Sequence, residues 1–165
     1  MFVRTGGEGD LAAVSRLIKT VFHSTFDGFY GAATVDRLTG DFYSVAGLRR
    51  FMERQRSEFL VVDDGERLGG VAFGAAMGDD ARIISLDLLV VATDLQGRGI
   101  GGMLLDEFES SFFESELVRL ETEARNLRAV RFFQAADYRE TGRALATVVP
   151  TTILTFEKSL LPADI

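Results

Sequence analysis

The chain has 165 residues, 47% of them hydrophobic and 14 of them phenylalanine, enough for one domain to bury about two-thirds of its unfolded surface around a filled core. Its formal net charge of −7 opposes nonspecific nucleic-acid binding, and with no cysteine and one histidine it has no disulfide, no thiolate nucleophile and no thiolate or multi-histidine metal set. No apolar run approaches the roughly 18 residues of a membrane span, and residues 1–8 hold no apolar leader core, so a single cytoplasmic domain over residues 1–165 is expected, away from membranes and nucleic acid.

In chain order, Phe2-Val3-Arg4-Thr5 suits a short strand. Asp10 then stands as cap to a helix in which Leu11, Val14, Leu17, Ile18, Val21 and Phe22 recur at helical spacing. Residues 23–33, aromatic and glycine-rich, read as a connection in which His23 caps the end of that helix. A second helical region over about 34–56 sets Val35, Leu38, Phe42, Val45, Leu48, Phe51 and Met52 on one side, with Gly40 and Gly47 as its expected breaks. The period then changes: 58–63 reads as a strand, Asp64-Gly65 as a hairpin turn, 67–77 as the return strand, Gly78-Asp79-Asp80 as a turn, and 81–91 as the most hydrophobic strand. A helix over about 100–113 presents Ile100, Leu104, Phe108 and Phe112, followed by a strand over 117–123 and a helix over 126–136. Residues 138–141 and 145–156 form a closing hairpin, in which Pro150, lacking an amide donor, belongs at an edge or a bulge. The order β α α β β β α β α β β predicts an α/β (α+β) chain: a mixed central sheet with one parallel crossover and helices on both faces.

The chemistry concentrates in residues 84–105, a strand, a polar bend, a glycine-rich loop and a helix start. Gly97, Gly99, Gly101 and Gly102 let the backbone turn tightly and approach a ligand, and the free amides of a helix start carry partial positive charge. Together they make an anion site suited to a pyrophosphate. Gly97-Arg98-Gly99-Ile100-Gly101-Gly102 fits G-x-G-x-x-G, the dinucleotide pattern, and Gln96 to Gly101 fits Q/R-x-x-G-x-G/A. The second pattern resembles the acetyl-CoA pyrophosphate loop of the GNAT superfamily of N-acetyltransferases. Context separates them. A dinucleotide loop begins directly at the strand end, whereas residues 92–96 intervene here, and only about 60 residues follow the loop, too few for a second mononucleotide half. Glu121, roughly 20 residues on, is what favours the dinucleotide alternative, as a ribose-binding acid.

A second block strengthens the likeness. Residues 120–138 resemble the family's fifth strand and following helix, loosely L-x-x-x-x-x-N-x-x-A-x-x-F-Y-x-x-x-G-F, with Asn126, Ala129 and Phe132 in place. Phe133 stands where the family has tyrosine and Asp137 where it has glycine. The resemblance spans essentially the whole chain and implies a GNAT-like acyl-CoA N-acyltransferase fold. It further implies acetyl-CoA as co-substrate, no metal, and direct attack by a primary amine of a small molecule or peptide within a ternary complex. On that reading the coenzyme is met by the backbone of Leu89 and Val91, by Gln96, Gly97, Arg98, Gly99, Ile100, Gly101 and Gly102, and by Asn126, which also suits a helix N-cap. The candidate bases are Glu121, matching members with a glutamate there, and Asp87, two residues before Leu89 and so expected on its face, with Ser85 beside it. Glu123, at a strand end, is expected in solvent. Many members use the missing tyrosine as the acid that reprotonates the thiolate; Phe133, at helical spacing, reads as core, which leaves Tyr30, Tyr138 or water. The departure also motivates an alternative, a non-catalytic acyl-CoA-binding module. Monomer and homodimer both stay open.

Overall fold

Seven runs of apolar and β-branched residues become strands: β1 (Phe2–Thr5), β2 (Ser57–Asp63), β3 (Leu68–Ala76), β4 (Ile83–Val91), β5 (Leu117–Glu123), β6 (Arg139–Ala146) and β7 (Thr151–Ser159). In this computed structural model, which describes residues 1–79 and 81–162, they form one sheet in the order β1-β2-β3-β4-β5-β7-β6. Neighbours run antiparallel except β4 and β5, the expected single parallel pair. Five helices connect them: α1 (Leu11–Tyr30), α2 (Ala32–Phe42), α3 (Val45–Met52), α4 (Ile100–Ser110) and α5 (Leu127–Ala135). Leu11, Val14 and Ile18 of α1 and Leu48 of α3 bury one face of the sheet against Val61, Val71, Phe73, Leu88 and Val90. Leu104, Leu105 and Phe108 of α4 and Phe133 of α5 bury the other against Leu60, Ala72, Ile84, Leu86, Leu120 and Phe156. Burying each large apolar side chain is worth roughly 1.5–3 kcal/mol, so this two-sided core holds the sheet between its helices.

Several boundaries depart from the sequence pattern. The segment after Phe22 is not a connection. Phe26 packs edge-on to Phe22 at 5.4 Å and stacks on Tyr30 at 5.5 Å, four residues apart each time, and this ladder carries α1 on to Tyr30. Gly31, at φ 83°, then ends it. His23 is consequently inside the helix rather than at its end. The second helical region breaks at Tyr43-Ser44, where Ser44 Oγ accepts from Gly47 N at 3.1 Å and starts α3, and not at the glycines. Gly47 serves close approach instead, since a Cβ there would stand 2.5 Å from the Phe42 carbonyl oxygen. α4 ends at Ser110, short of the expected 113. β6 is continuous to Ala146, and Pro150 falls in the turn before β7 rather than at a strand edge or bulge. Gly78 turns with φ 64°, while Asp80 of the expected turn lies outside the described residues.

β4 carries two irregularities. Phe73 pairs with Leu88 and Gly74 with Leu86, so Asp87 is an extra residue, a β-bulge. Gly74 is required there, because a Cβ would collide with the Ser85 carbonyl oxygen. The parallel pairing with β5 covers Ile83–Leu86 against Leu117–Leu120, and beyond those residues the two strands are unpaired.

Candidate active site

Where β4 and β5 part, the gap opens into a cleft of about 650 Å³. Its floor is the two strand ends, 86–91 and 120–123. One wall is the glycine loop with the start of α5, and the other is Val21, Phe22, Ser24, Thr25 and Phe26 of α1 together with Tyr43. Ala92 N donates to Gly69 O at 2.8 Å, so strand alternation turns the backbone of Leu89 and Val91 away from β3 and toward the open side. The Val91 carbonyl is met there by Gln96 Nε2 at 3.1 Å, which fastens the loop to the strand end.

Gly97 and Gly99 hold φ of 80° and 82°, a region that strains any other side chain. Gly99 caps α4 in that conformation, and the first helical bond runs from Met103 N to Gly99 O at 3.1 Å. The amides of Ile100, Gly101 and Gly102 are therefore left without intrahelical acceptors beside the cleft. A Cβ on Gly101 would meet the Phe132 ring at 3.1 Å, so this glycine also lets α4 lie close to α5. Asn126 Oδ1 accepts from Ala129 N at 3.3 Å as the N-cap of α5. Of the candidate site residues, Asp87, Leu89, Val91, Gln96, Gly97, Gly99, Ile100, Gly101, Gly102, Glu121 and Asn126 line the cleft; Arg98 is exposed at the loop tip and does not.

The two candidate bases differ in what they touch. Asp87 does not share a face with Leu89: the bulge shifts the alternation, so Leu89 packs with the α4-side core while Leu88 and Val90 pack on the α1 side. Ser85 Oγ donates to Asp87 Oδ1 at 2.6 Å and Arg54 Nη1 to Oδ2 at 3.1 Å, so both carboxylate oxygens are occupied. Glu121 alternates with Val118 and Leu120, which are buried on the α4 side, and so faces the α1 side. It is exposed, and among the described residues it has no hydrogen bond or ion pair.

Glu123 is the largest correction. It is 7% exposed rather than solvated, and it accepts from the Tyr30 hydroxyl, from Arg125 Nη2 at 3.1 Å and from Arg125 N at 3.0 Å. Burial pushes its carboxyl up, but the bonds from Arg125, Tyr30 and Thr151 outweigh this and hold it at about 2. Arg125 in turn lies over the Phe29 ring, 4.6 Å from its centroid. Tyr30 is thereby committed to Glu123, and Tyr138, 2% exposed, donates to Glu109 at 3.0 Å within the core. Of the three tyrosines it is Tyr43, missed in the sequence, that lines the cleft; burial and the nearby Asp87 push its phenol up to about 12. Phe133 is core, as expected, with its ring edge-on to Phe132 at 5.1 Å and to Tyr138 at 5.5 Å. His23 bridges Asp27 of α1 at 2.6 Å and Asp36 of α2 at 2.8 Å, and these carboxylates, Asp36 foremost, raise it above the ordinary histidine value.

Residues 28–147 match the family model described as the acetyltransferase (GNAT) domain. Among solved structures the chain is similar to the PaiA N-acetyltransferase from Thermoplasma acidophilum in complex with coenzyme A, at TM-score 0.82 and 17% identity over 95% of this chain and 97% of that one. It is also similar to an aminoglycoside 6'-N-acetyltransferase complexed with coenzyme A, at TM-score 0.71 and 12% identity over the whole of both chains. A third likeness is to the ribosomal-protein-S18-alanine N-acetyltransferase from Escherichia coli, at TM-score 0.72 and 14% identity over 98% of this chain and 95% of that one. At these identities the likenesses establish a shared fold. No curated protein sequence matches the chain.

Proposed function

The chain belongs to the acetyltransferase (GNAT) family, and from that premise we propose that it transfers the acetyl group of acetyl-CoA to a primary amine of a small molecule or peptide, by direct attack in a ternary complex. The observation that carries the reading is the meeting of an open strand split with a glycine loop: inward-turned backbone of Leu89 and Val91 at one end, and free amides of Ile100, Gly101 and Gly102 at the other. The loop amides, with Gln96 bracing the loop and Asn126 opposite, suit the pyrophosphate. The amides of Leu89 and Val91 suit the pantetheine arm and the thioester carbonyl, whose developing charge preorganised backbone donors stabilise without reorganising. The amine enters from the α1 side, where Glu121 is the carboxylate free to take its proton, directly or through water. Asp87, with both oxygens occupied, is the second choice for that role. With a phenylalanine at 133, the proton for the leaving thiolate comes from solvent or from Tyr43, which carries its proton at neutral pH.

The test is binding followed by turnover. Acetyl-CoA should raise the melting temperature of the wild-type protein, because it binds the native state alone, while nicotinamide dinucleotides should not. Gly99→Val, which forces a branched side chain to φ 82°, should lose that shift while remaining folded. Thiol release across a panel of amines then identifies the acceptor. An equal response to acetyl-CoA in wild type and variant sinks the loop assignment. A second reading, a non-catalytic acyl-CoA-binding module, is favoured by the buried Phe133, and coenzyme binding with no thiol release from any amine would establish it.

A further inference from the structure

The cleft is electrically divided. Its three acidic lining residues, Asp87, Glu121 and Glu123, all belong to the strand floor, whereas its one basic lining residue among those described, Arg128, stands beside the glycine loop. Arg128 is the second residue of α5, and the N-cap of that helix, Asn126, fixes where it begins. Its guanidinium lies 3.6 Å from where a Cβ on Gly97 would be, an ordinary contact distance that puts Arg128 against the loop. No carboxylate neutralises it: among the described residues Arg128 makes no hydrogen bond and no ion pair, while Arg54 and Arg125 at the same strand ends are each paired with an acid. An unpaired guanidinium against a turn of free amides is a fork of donors set for an anion with several oxygens.

We propose that Arg128 is a specificity-determining contact to the pyrophosphate of the coenzyme, closing over it from α5 while the loop amides hold it from α4. This rests on the reading of acetyl-CoA as co-substrate. The contact would bind charge at the phosphate end and leave the acyl end, on the far side of the strand split, untouched. It also divides the cleft by ligand: the cationic end takes the nucleotide, and the anionic floor is left for the amine.

The experiment measures affinity for acetyl-CoA and for its 3′-dephospho analogue, and kcat/KM with S-acetylpantetheine, which has no phosphoanhydride. The proteins compared are wild type, Arg128→Ala, Arg128→Lys and, as a control on the same helix outside the cleft lining, Arg131→Ala. Arg128→Ala should weaken both nucleotide forms by about 10- to 100-fold, the worth of charge-assisted hydrogen bonds to an ion. It should leave S-acetylpantetheine within about two-fold, and Arg128→Lys should recover part of the loss because a point charge replaces a fork. Unchanged acetyl-CoA affinity in Arg128→Ala overturns the contact while leaving the function standing. A loss confined to the 3′-phosphorylated form moves the contact off the pyrophosphate and overturns it too, as does an equal loss with S-acetylpantetheine, which would mean a disturbed α5. Wild-type protein that binds neither nucleotide form removes the proposed function itself, and this proposal with it.

Discussion

Glu121 and Glu123 stand two residues apart on one face of β5, and their surroundings give them different work. Glu121 is exposed beside the open cleft, which suits the base proposed for it; Glu123 is held as an anion by Arg125 and the Tyr30 hydroxyl and is a tie between β5 and the end of α1. Glu121→Gln should therefore lower turnover at neutral pH by about 10²- to 10⁴-fold, the usual yield of a positioned base, with acetyl-CoA affinity unchanged and partial recovery at high pH as free amine accumulates. Asp87→Asn should cost less. Full activity in Glu121→Gln with loss in Asp87→Asn reverses the assignment. Glu123→Gln should act on stability: its carboxyl falls from an ordinary value of 4.5 to about 2 on folding, so its contribution is fully present above pH 4.5 and is lost as pH falls toward 2. Denaturant unfolding at pH 7 should show a loss of roughly 1.5–3 kcal/mol, shrinking between those two pH values. A gap that stays constant across that range would show that the charge is not what holds the tie. The sequence puts Glu123 in solvent, because what buries it is Tyr30 and Arg125, and Tyr30 lies on a stretch of helix in which the hydrophobic pattern alone reads as a connection.

At the scale of elements, legibility follows periodicity. β2, β3 and β4 were evident because apolar residues crowd a strand that is covered on both faces, and α4 and α5 because their buried positions recur every three to four residues. The last turns of α1 were hidden because their stabilisation is an aromatic ladder, Phe22, Phe26 and Tyr30, interrupted in sequence by Gly28. The break between α2 and α3 was misplaced because both glycines sit inside helices and Ser44 makes the stop. The bulge at Asp87 left no mark in the strand's own composition; its trace is Gly74 on the partner strand, meaningful only once the two are paired. Gly74→Ala should therefore be among the costlier small substitutions, at least the roughly 1–3 kcal/mol of core overpacking. Denaturant midpoints check this, and a stability equal to wild type would mean that β4 can give up its bulge.

For the whole molecule, the mixed sheet, its lone parallel pair and the helices on both faces were readable from the alternation of elements, since a crossover helix between two hydrophobic strands leaves little choice, whereas the place of β7 between β5 and β6 was not. The loop of the cleft was readable too, because glycine spacing and helix onset are local. Its opposite wall was not, being assembled from α1, Tyr43 and the floor of two strands that lie far apart in the chain. The four-residue pairing of β4 with β5 has one further consequence, in the order of assembly. On one side of it β1 to β4 pair antiparallel, with β2, β3 and β4 joined in sequence by short connections; on the other, β6 and β7 form a hairpin against β5. Joining these halves requires the helical crossover to close first, which is the slower kind of contact to make. The cleft is thus a seam between the two antiparallel halves of the sheet, open because the pairing that joins them stops after four residues, and it takes shape only through the nonlocal contact that completes the sheet.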